Sequence, residues 1–372
     1  MKILHIGKYY SIKGGMETAI NDIVQYMSSK KIRCDLICID SMETCVIKEN
    51  DYCCIRVFHE GLRFSSASIS FRLLKEIRNI VDEYDIIHIH CPNPVGNLAL
   101  LFSGFKGKIV VHWHSDIIKQ KKLLKVYKYI QSWLLKKADL IIATSAPYLQ
   151  FSPFIAEFKD KAMVLPLGVS QVFPSSKSVD KIKQCHSGKR IILGVGRLVY
   201  YKGFRFLIEA LSYLGPEYVL LLVGTGPCKQ ELEALIKKHD LSHRCFLLGS
   251  VSDEELHNLY GACDVFCLPS CEKTEAFGLV QIEAMSCGKP VVATNIEGSG
   301  VPWVNQHGVS GKNVKPCCAM ELADAIRDII EDESKYQKYS ENARNRYLTY
   351  FAKEKILPQY EDIYKRLLAD RG

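Results

Sequence analysis

The chain has 372 residues, 48% of them hydrophobic and 24% charged, with a net charge of +8 and 15 cysteines. That length exceeds one ordinary core and suits two domains of roughly 150 to 200 residues each; no apolar run approaches the roughly 20 residues of a membrane span, which excludes a helical integral membrane protein. The cysteines are odd in number and scattered, without a Cys-x-x-Cys, and even the regular set Cys263, Cys267 and Cys271 runs along a strand and loop, so reduced thiols are expected and no metal site.

The charge is uneven. Residues 1–175 hold 23 Lys/Arg against 16 Asp/Glu, and residues 176–372 hold 26 against 25, so an anionic partner is expected to meet the first half. No nucleic-acid partner is expected. The opening "MKILHIGKYY" reads as a first buried strand rather than a signal peptide, which makes a cytoplasmic location the expectation.

In chain order, "MKILHIG", "RCDLICID", "YDIIHIHC", "GKIVVHWH", "ADLIIATS" and "AMVLPLG" are short β-branched runs separated by helical segments near 17–30, 68–83 and 119–138. After the polar stretch 174–189 the rhythm restarts with "RIILGVGR", "YVLLLVGTG", "CFLLGSV", "DVFCLPS" and "KPVVATN". Such alternation predicts an α/β protein with parallel sheets in two Rossmann-like domains. The expected boundaries are a first domain over 1–172, a linker over 173–188, a second domain over 189–350, and a helix over 351–372 crossing back to the first. Pro358 marks a start or kink in that helix.

Ligands of open parallel sheets sit beyond the carboxyl ends of the strands, so the loops after strands carry the functional candidates. "GKYYSIKGGMETAI" places Gly14 and Gly15 where a strand gives way to a helix, a place where amides can approach an anion. "GVGRLVYYKG" offers Arg197 and Lys202, two cations placed to clamp a diphosphate; it lacks the third glycine of a dinucleotide fingerprint, which weakens a nicotinamide reading. In "TEAFGLVQIEAM", Glu275 falls in a loop and Glu283 in a helix expected from about Phe277 or Gly278 to Cys287. The apolar flanks make an accidental glutamate costly. Glu275 can accept hydrogen bonds from sugar hydroxyls, the helix N-terminus can hold phosphates, and Glu283 can hold ribose hydroxyls. The alternative is a capping Glu275 with an exposed Glu283.

The stretch "TEAFGLVQIEAMSCGKPVVATN" closely resembles the glutamate-x7-glutamate motif of the family 4 retaining glycosyltransferases. "GKYYSIKGGMET", "DIIHIHCPNP", "VVHWHSDIIKQK", "VLPLGV", "GVGRLVYYKG", "LVGTGP", "LLGSVSDEELHNLYGACDVFCLPS" and "GVPWVNQHGVSG" follow in that family's order. The resemblance covers nearly the whole chain. It implies the GT-B architecture, two facing Rossmann-like domains with an interdomain cleft. It also assigns the donor diphosphate to Arg197 and Lys202, the sugar to Glu275, the ribose to Glu283, and phosphate to the amides of Phe277, Gly278 and Leu279. Gly15 would lie near the diphosphate and His114 at the reaction centre, whereas His112 reads as a structural histidine.

No Asp-x-Asp triplet is present, so the resemblance implies metal-independent catalysis without a cofactor, in which cations and helix amides stabilise the leaving diphosphate. Similarity to mannosyltransferases of O-antigen and surface-polysaccharide assembly implies a nucleotide-sugar donor, best GDP-mannose, and a lipid-linked oligosaccharide acceptor. A UDP-sugar with a soluble acceptor stays open. An NAD-dependent oxidoreductase and a silent assembly subunit are remoter alternatives. Residues 117–138 carry seven lysines and no acid beside an apolar stripe of Leu123, Tyr127, Ile130 and Leu134. Lys119, Lys121, Lys122 and Lys125 are therefore expected to face an anionic inner-membrane surface, making the protein peripheral there; the plainer reading is a solvated helix face.

Overall fold

The structure is a computed structural model, and residues 1–10, 14–64, 67–116 and 121–369 are described. The chain divides into two units, one formed by Met1–Gly168 with Ile356–Gly372 and the other by Val169–Lys355.

The sheet of the first unit runs in the spatial order Ala162–Val164, Leu140–Ala143, Lys108–Trp113, Ile86–Cys91, Lys2–Tyr9, Arg33–Asp40, Cys53–His59 and Cys45–Asn50. Only the edge strand Cys45–Asn50 pairs antiparallel. Lys2–Tyr9 is called β1, Ile86–Cys91 β2 and Lys108–Trp113 β3. Helices cover both faces of a parallel sheet, so its central strands are buried on both faces rather than on alternate residues. All six residues of β2 are buried accordingly, two of them histidines.

In the second unit every neighbouring pair is parallel, in the order Cys245–Gly249, Tyr218–Val223, Arg190–Val195 (β4), Val265–Leu268 (β5), Val291–Thr294 and Gly311–Val314. In chain order the strands read 3-2-1-4-5-6, and the order reverses between β4 and β5. Where neighbouring connections leave in opposite directions a crevice opens at the strand ends. The motif-bearing loops after β4 and β5 flank that reversal. The helix after β5, α1, spans Leu279–Ser286, shorter at both ends than the sequence suggests.

The polar stretch 173–188, expected as a linker, carries the helix Ser176–Cys185 of the second unit, and the Ser175 amide just before it donates to Asn258 Oδ1 at 2.8 Å. The closing helix, α2, spans Lys353–Ala369 and holds Pro358 in its interior, not at its start, the other position the sequence left open. From Ile356 onward α2 belongs to the first unit. Among the described residues no helix is long and apolar enough to cross a membrane.

Candidate functional site

The loop after β4 turns through a short 3-10 segment, Tyr200–Lys202, into the helix Phe204–Ser212. Gly203, between them, has φ +67, and a Cβ there would lie 2.0 Å from the Pro269 carbonyl oxygen that follows β5. Only glycine permits both the left-handed turn and that close approach. The two loops flanking the strand reversal are thereby brought together. Lys202 Nζ stands 2.6 Å from Glu275 Oε2, with both side chains nearly buried at 12% and 10% exposure.

Lys202 and Glu275, expected to serve the diphosphate and the sugar separately, are joined in one ion pair. A buried ion pair needs further hydrogen bonds to offset its desolvation. Ser270 supplies one, its hydroxyl donating to Glu275 Oε2 at 3.0 Å. The loop carrying Glu275 is fixed in turn by Ser299, whose hydroxyl donates to the Glu275 carbonyl at 2.5 Å, and by the Gly300 amide donating to the Ala276 carbonyl at 2.8 Å. Arg197 is exposed and makes no ion pair among the described residues. The site thus presents one restrained cation and one available cation.

Gly278 caps α1 with φ +75, a left-handed residue that turns the chain abruptly into the helix, and Leu279 opens the first turn. The first amides of a helix lack intrahelical acceptors and carry the positive end of its dipole. The Phe277 side chain is buried, its ring 6.3 Å from that of Trp303 and 6.2 Å from that of Phe351. Arg346 stacks over Trp303 and Phe351 and donates from Nε to the Val304 carbonyl at 2.8 Å, bracing the wall behind the loop.

Glu283 lies inside α1 and is half-buried, not exposed. Burial pushes its carboxyl above the usual range, while the Tyr260 hydroxyl, donating to Oε2 at 2.6 Å, holds it back down. Tyr260, Ser270 and Ser299 all escaped the sequence reading. The only hint was that each lies in a stretch already singled out or directly before one.

In the first unit, Gly14 caps and Gly15 opens the helix Gly15–Ser29, as the sequence suggests for a strand-to-helix turn. His114 follows β3 and its amide continues the ladder to the Cys91 carbonyl at 2.9 Å. It is nearly buried and belongs to a cluster. The parallel registers pair His5 with His88 and His90 with His112, so His5, His88, His90, His112 and His114 share one face of the sheet. Tyr360 and Tyr364 of α2 lie against them. Burial pushes His5 and His114 down to about 3 and His88, His90 and His112 well below the ordinary imidazole value, so all five are neutral. His112 stacks on His114 at 4.1 Å between ring centres, and neither of its ring nitrogens has a hydrogen-bond partner.

Of the lysines expected to face a membrane, Lys119 lies outside the described residues. Lys121, Lys122 and Lys125 stand on the helix Lys121–Lys137. Tyr127 and Leu134 of the apolar stripe are buried, so part of that stripe serves the core of the first unit.

Residues 13–169 match the family described as Glycosyltransferase Family 4 and residues 176–346 the one described as Glycosyl transferases group 1. The chain is 31% identical over 379 residues to the O-antigen chain mannosyltransferase C of Escherichia coli, covering all of both chains. It is 29% identical to the D-rhamnosyltransferase WbpZ of Pseudomonas aeruginosa, over 94% of this chain and 92% of that one. The crystal structure of Anabaena HepE in complex with UDP superposes with a TM-score of 0.79 at 24% identity, over 98% of this chain and 100% of that one, which speaks for the fold. With a full-length relative at 31% identity and two Rossmann-like units, the chain belongs to the family 4 glycosyltransferases of GT-B fold and is a hexosyltransferase.

Proposed function

We propose that the protein is a retaining transferase that moves mannose from GDP-mannose to a lipid-linked oligosaccharide during assembly of an O-antigen or other surface polysaccharide. What carries the reading is the convergence of Arg197, Lys202, Glu275 and Glu283 on the strand switch, in a chain similar along its whole length to an O-antigen chain mannosyltransferase. The second relative, a D-rhamnosyltransferase, is consistent with it, because D-rhamnose is 6-deoxymannose.

Breaking the bond between sugar and diphosphate puts negative charge on the leaving phosphate and positive charge on the anomeric carbon. Arg197, Lys202 and the first amides of α1 supply the positive field for the former, with no metal required. Glu275, oriented by Lys202 and Ser270, accepts hydrogen bonds from the sugar hydroxyls. Glu283, held by Tyr260, accepts from the ribose. The acceptor attacks on the face the phosphate leaves, and a phosphate oxygen takes its proton. No covalent nucleophile is assigned.

The two glutamates are separable by experiment. Glu275→Gln should chiefly lower turnover and alter donor choice, whereas Glu283→Ala should weaken free GDP by roughly 1.5–3 kcal/mol, the range for a hydrogen bond to a charged group. Calorimetry with GDP reads this directly, and parental affinity in Glu283→Ala would remove the ribose role.

The proposal places the protein at the inner membrane surface through the lysines of residues 117–138, supported by the absence of any acid in that segment. Several lysines at roughly 1 kcal/mol each give reversible, salt-sensitive attachment to anionic lipid. Sedimentation with anionic vesicles should fall when Lys119, Lys121, Lys122 and Lys125 are together changed to Gln. Equal binding to neutral vesicles would contradict it.

A further inference from the structure

The histidines of the first unit are joined end to end. His114 Nε2 lies 2.9 Å from His90 Nδ1, and His90 Nε2 lies 2.9 Å from His5 Nδ1. His5 Nε2 lies 3.3 Å from the Tyr364 hydroxyl, which lies 2.6 Å from His88 Nδ1. The chain ends at two buried nitrogens without partners, His114 Nδ1 and His88 Nε2. Among the described residues two triplets of these histidines bring ring nitrogens within 4.8 Å of one another. Nitrogens sharing one zinc at about 2.1 Å would stand roughly 3.4 Å apart, so the 2.9 Å pairs have instead the separation of an N–H···N bond.

Four contacts in series join five neutral groups, and each group carries one proton. A contact with no proton sets two lone pairs against each other, and one with two protons is a clash. Each contact therefore holds one proton, and three arrangements satisfy all four. Every histidine of the chain is protonated on Nδ1, leaving an N–H at His114 and a lone pair at His88; or every one is protonated on Nε2, with the reverse; or His114, His90 and His5 carry Nε2–H and His88 carries Nδ1–H, so that the Tyr364 oxygen accepts from both neighbours and its own O–H is left without an acceptor. The group left with an unaccepted proton decides among them. A buried donor without an acceptor is rarer and more costly than a buried acceptor without a donor. His88 and Tyr364 are wholly enclosed, whereas His114 stands at a strand end and retains 6% exposure.

We propose that His90, His5, Tyr364 and His88 act as positioning residues that lock His114 in its Nδ1–H form. His114 then presents a fixed donor to an oxygen acceptor. Its Nδ1, already protonated, cannot act as a base, and no proton can be relayed along the chain to change that, because the far end is sealed at His88. The inference concerns the first unit alone and stands whatever the sugar or nucleotide.

Long-range nitrogen–proton spectra of protein labelled in histidine test it. His5, His88, His90 and His114 should all be neutral at pH 7 and all protonated on Nδ1, the less common form of free histidine. His90→Leu severs the chain: His5, still bonded to Tyr364, keeps its form, while His114 reverts to Nε2–H. A charged member, an Nε2–H form in any of the four, or a His114 unchanged in His90→Leu overturns the lock. Should His90→Leu fail to fold, the parent spectrum decides alone.

Discussion

Replacing Arg197 or Lys202 by Ala should lower turnover by about 10²-fold or more, the usual cost of removing one preorganised contact to developing charge. The two losses have different companions. Arg197 is exposed and has no ion-pair partner to strand, so Arg197→Ala should leave the thermal midpoint near that of the parent. Lys202 neutralises Glu275 at 2.6 Å, and removing it leaves a nearly buried carboxylate uncompensated, which costs roughly 3–5 kcal/mol when burial is complete and less at this 10% exposure. Lys202→Ala should therefore lower both the midpoint and the rate. Chelator should change neither. Activity abolished by chelator and restored by magnesium would contradict a leaving group stabilised by side chains and helix amides.

The second large effect is on stability in mild acid. His5 and His114 are pushed down to about 3 by burial, and His88, His90 and His112 lie well below the ordinary value of about 6.5. The only other titratable rings against them, Tyr360 and Tyr364, are shifted upward by burial and stay neutral. About one pH unit or more above 6.5 the histidines are neutral in both states and stability does not depend on them. Below it the unfolded chain binds protons that the folded chain refuses, so stability falls as pH falls, until the folded values near 3 are reached. Five such groups cost about 5–7 kcal/mol per pH unit together, comparable with the whole stability of a domain. The denaturant midpoint should hold from pH 8.5 to about 7.5, begin to fall by pH 6.5 and collapse before pH 5, with an uptake of several protons on unfolding. A flat midpoint down to pH 5 would mean that the cluster is open to water.

Much of the fold is written locally. Runs such as "IILGV" and "YVLLLV" are apolar on consecutive residues because both faces of a parallel strand are covered, and the helix after "DVFCLPS" announces itself by glycine and an apolar stripe. Arg197, Lys202, Glu275 and Glu283 were legible for the same reason, since each sits in a short motif at a strand end. What the sequence hides is which of these loops touch. The Lys202–Glu275 pair depends on strands β4 and β5 being neighbours, and nothing local to either loop specifies that. The histidine chain shows the same limit. Period-two spacing puts His88 with His90, and His112 with His114, on one face, but His5 and Tyr364 join them only through the strand order and the return of α2. The 173–188 stretch misled because a polar composition fits a surface helix as well as a linker.

The stereochemistry of transfer distinguishes retention from inversion at the anomeric carbon. The protein should be incubated with GDP-mannose and a polyprenyl-diphosphate-linked oligosaccharide in the presence of chelator, and the new linkage read from its anomeric proton and carbon coupling. An α-linked mannose, matching the α-configured donor, is expected, and its near absence with Arg197→Ala. A β-linked product, or transfer from a UDP-sugar with none from GDP-mannose, would contradict the proposed function.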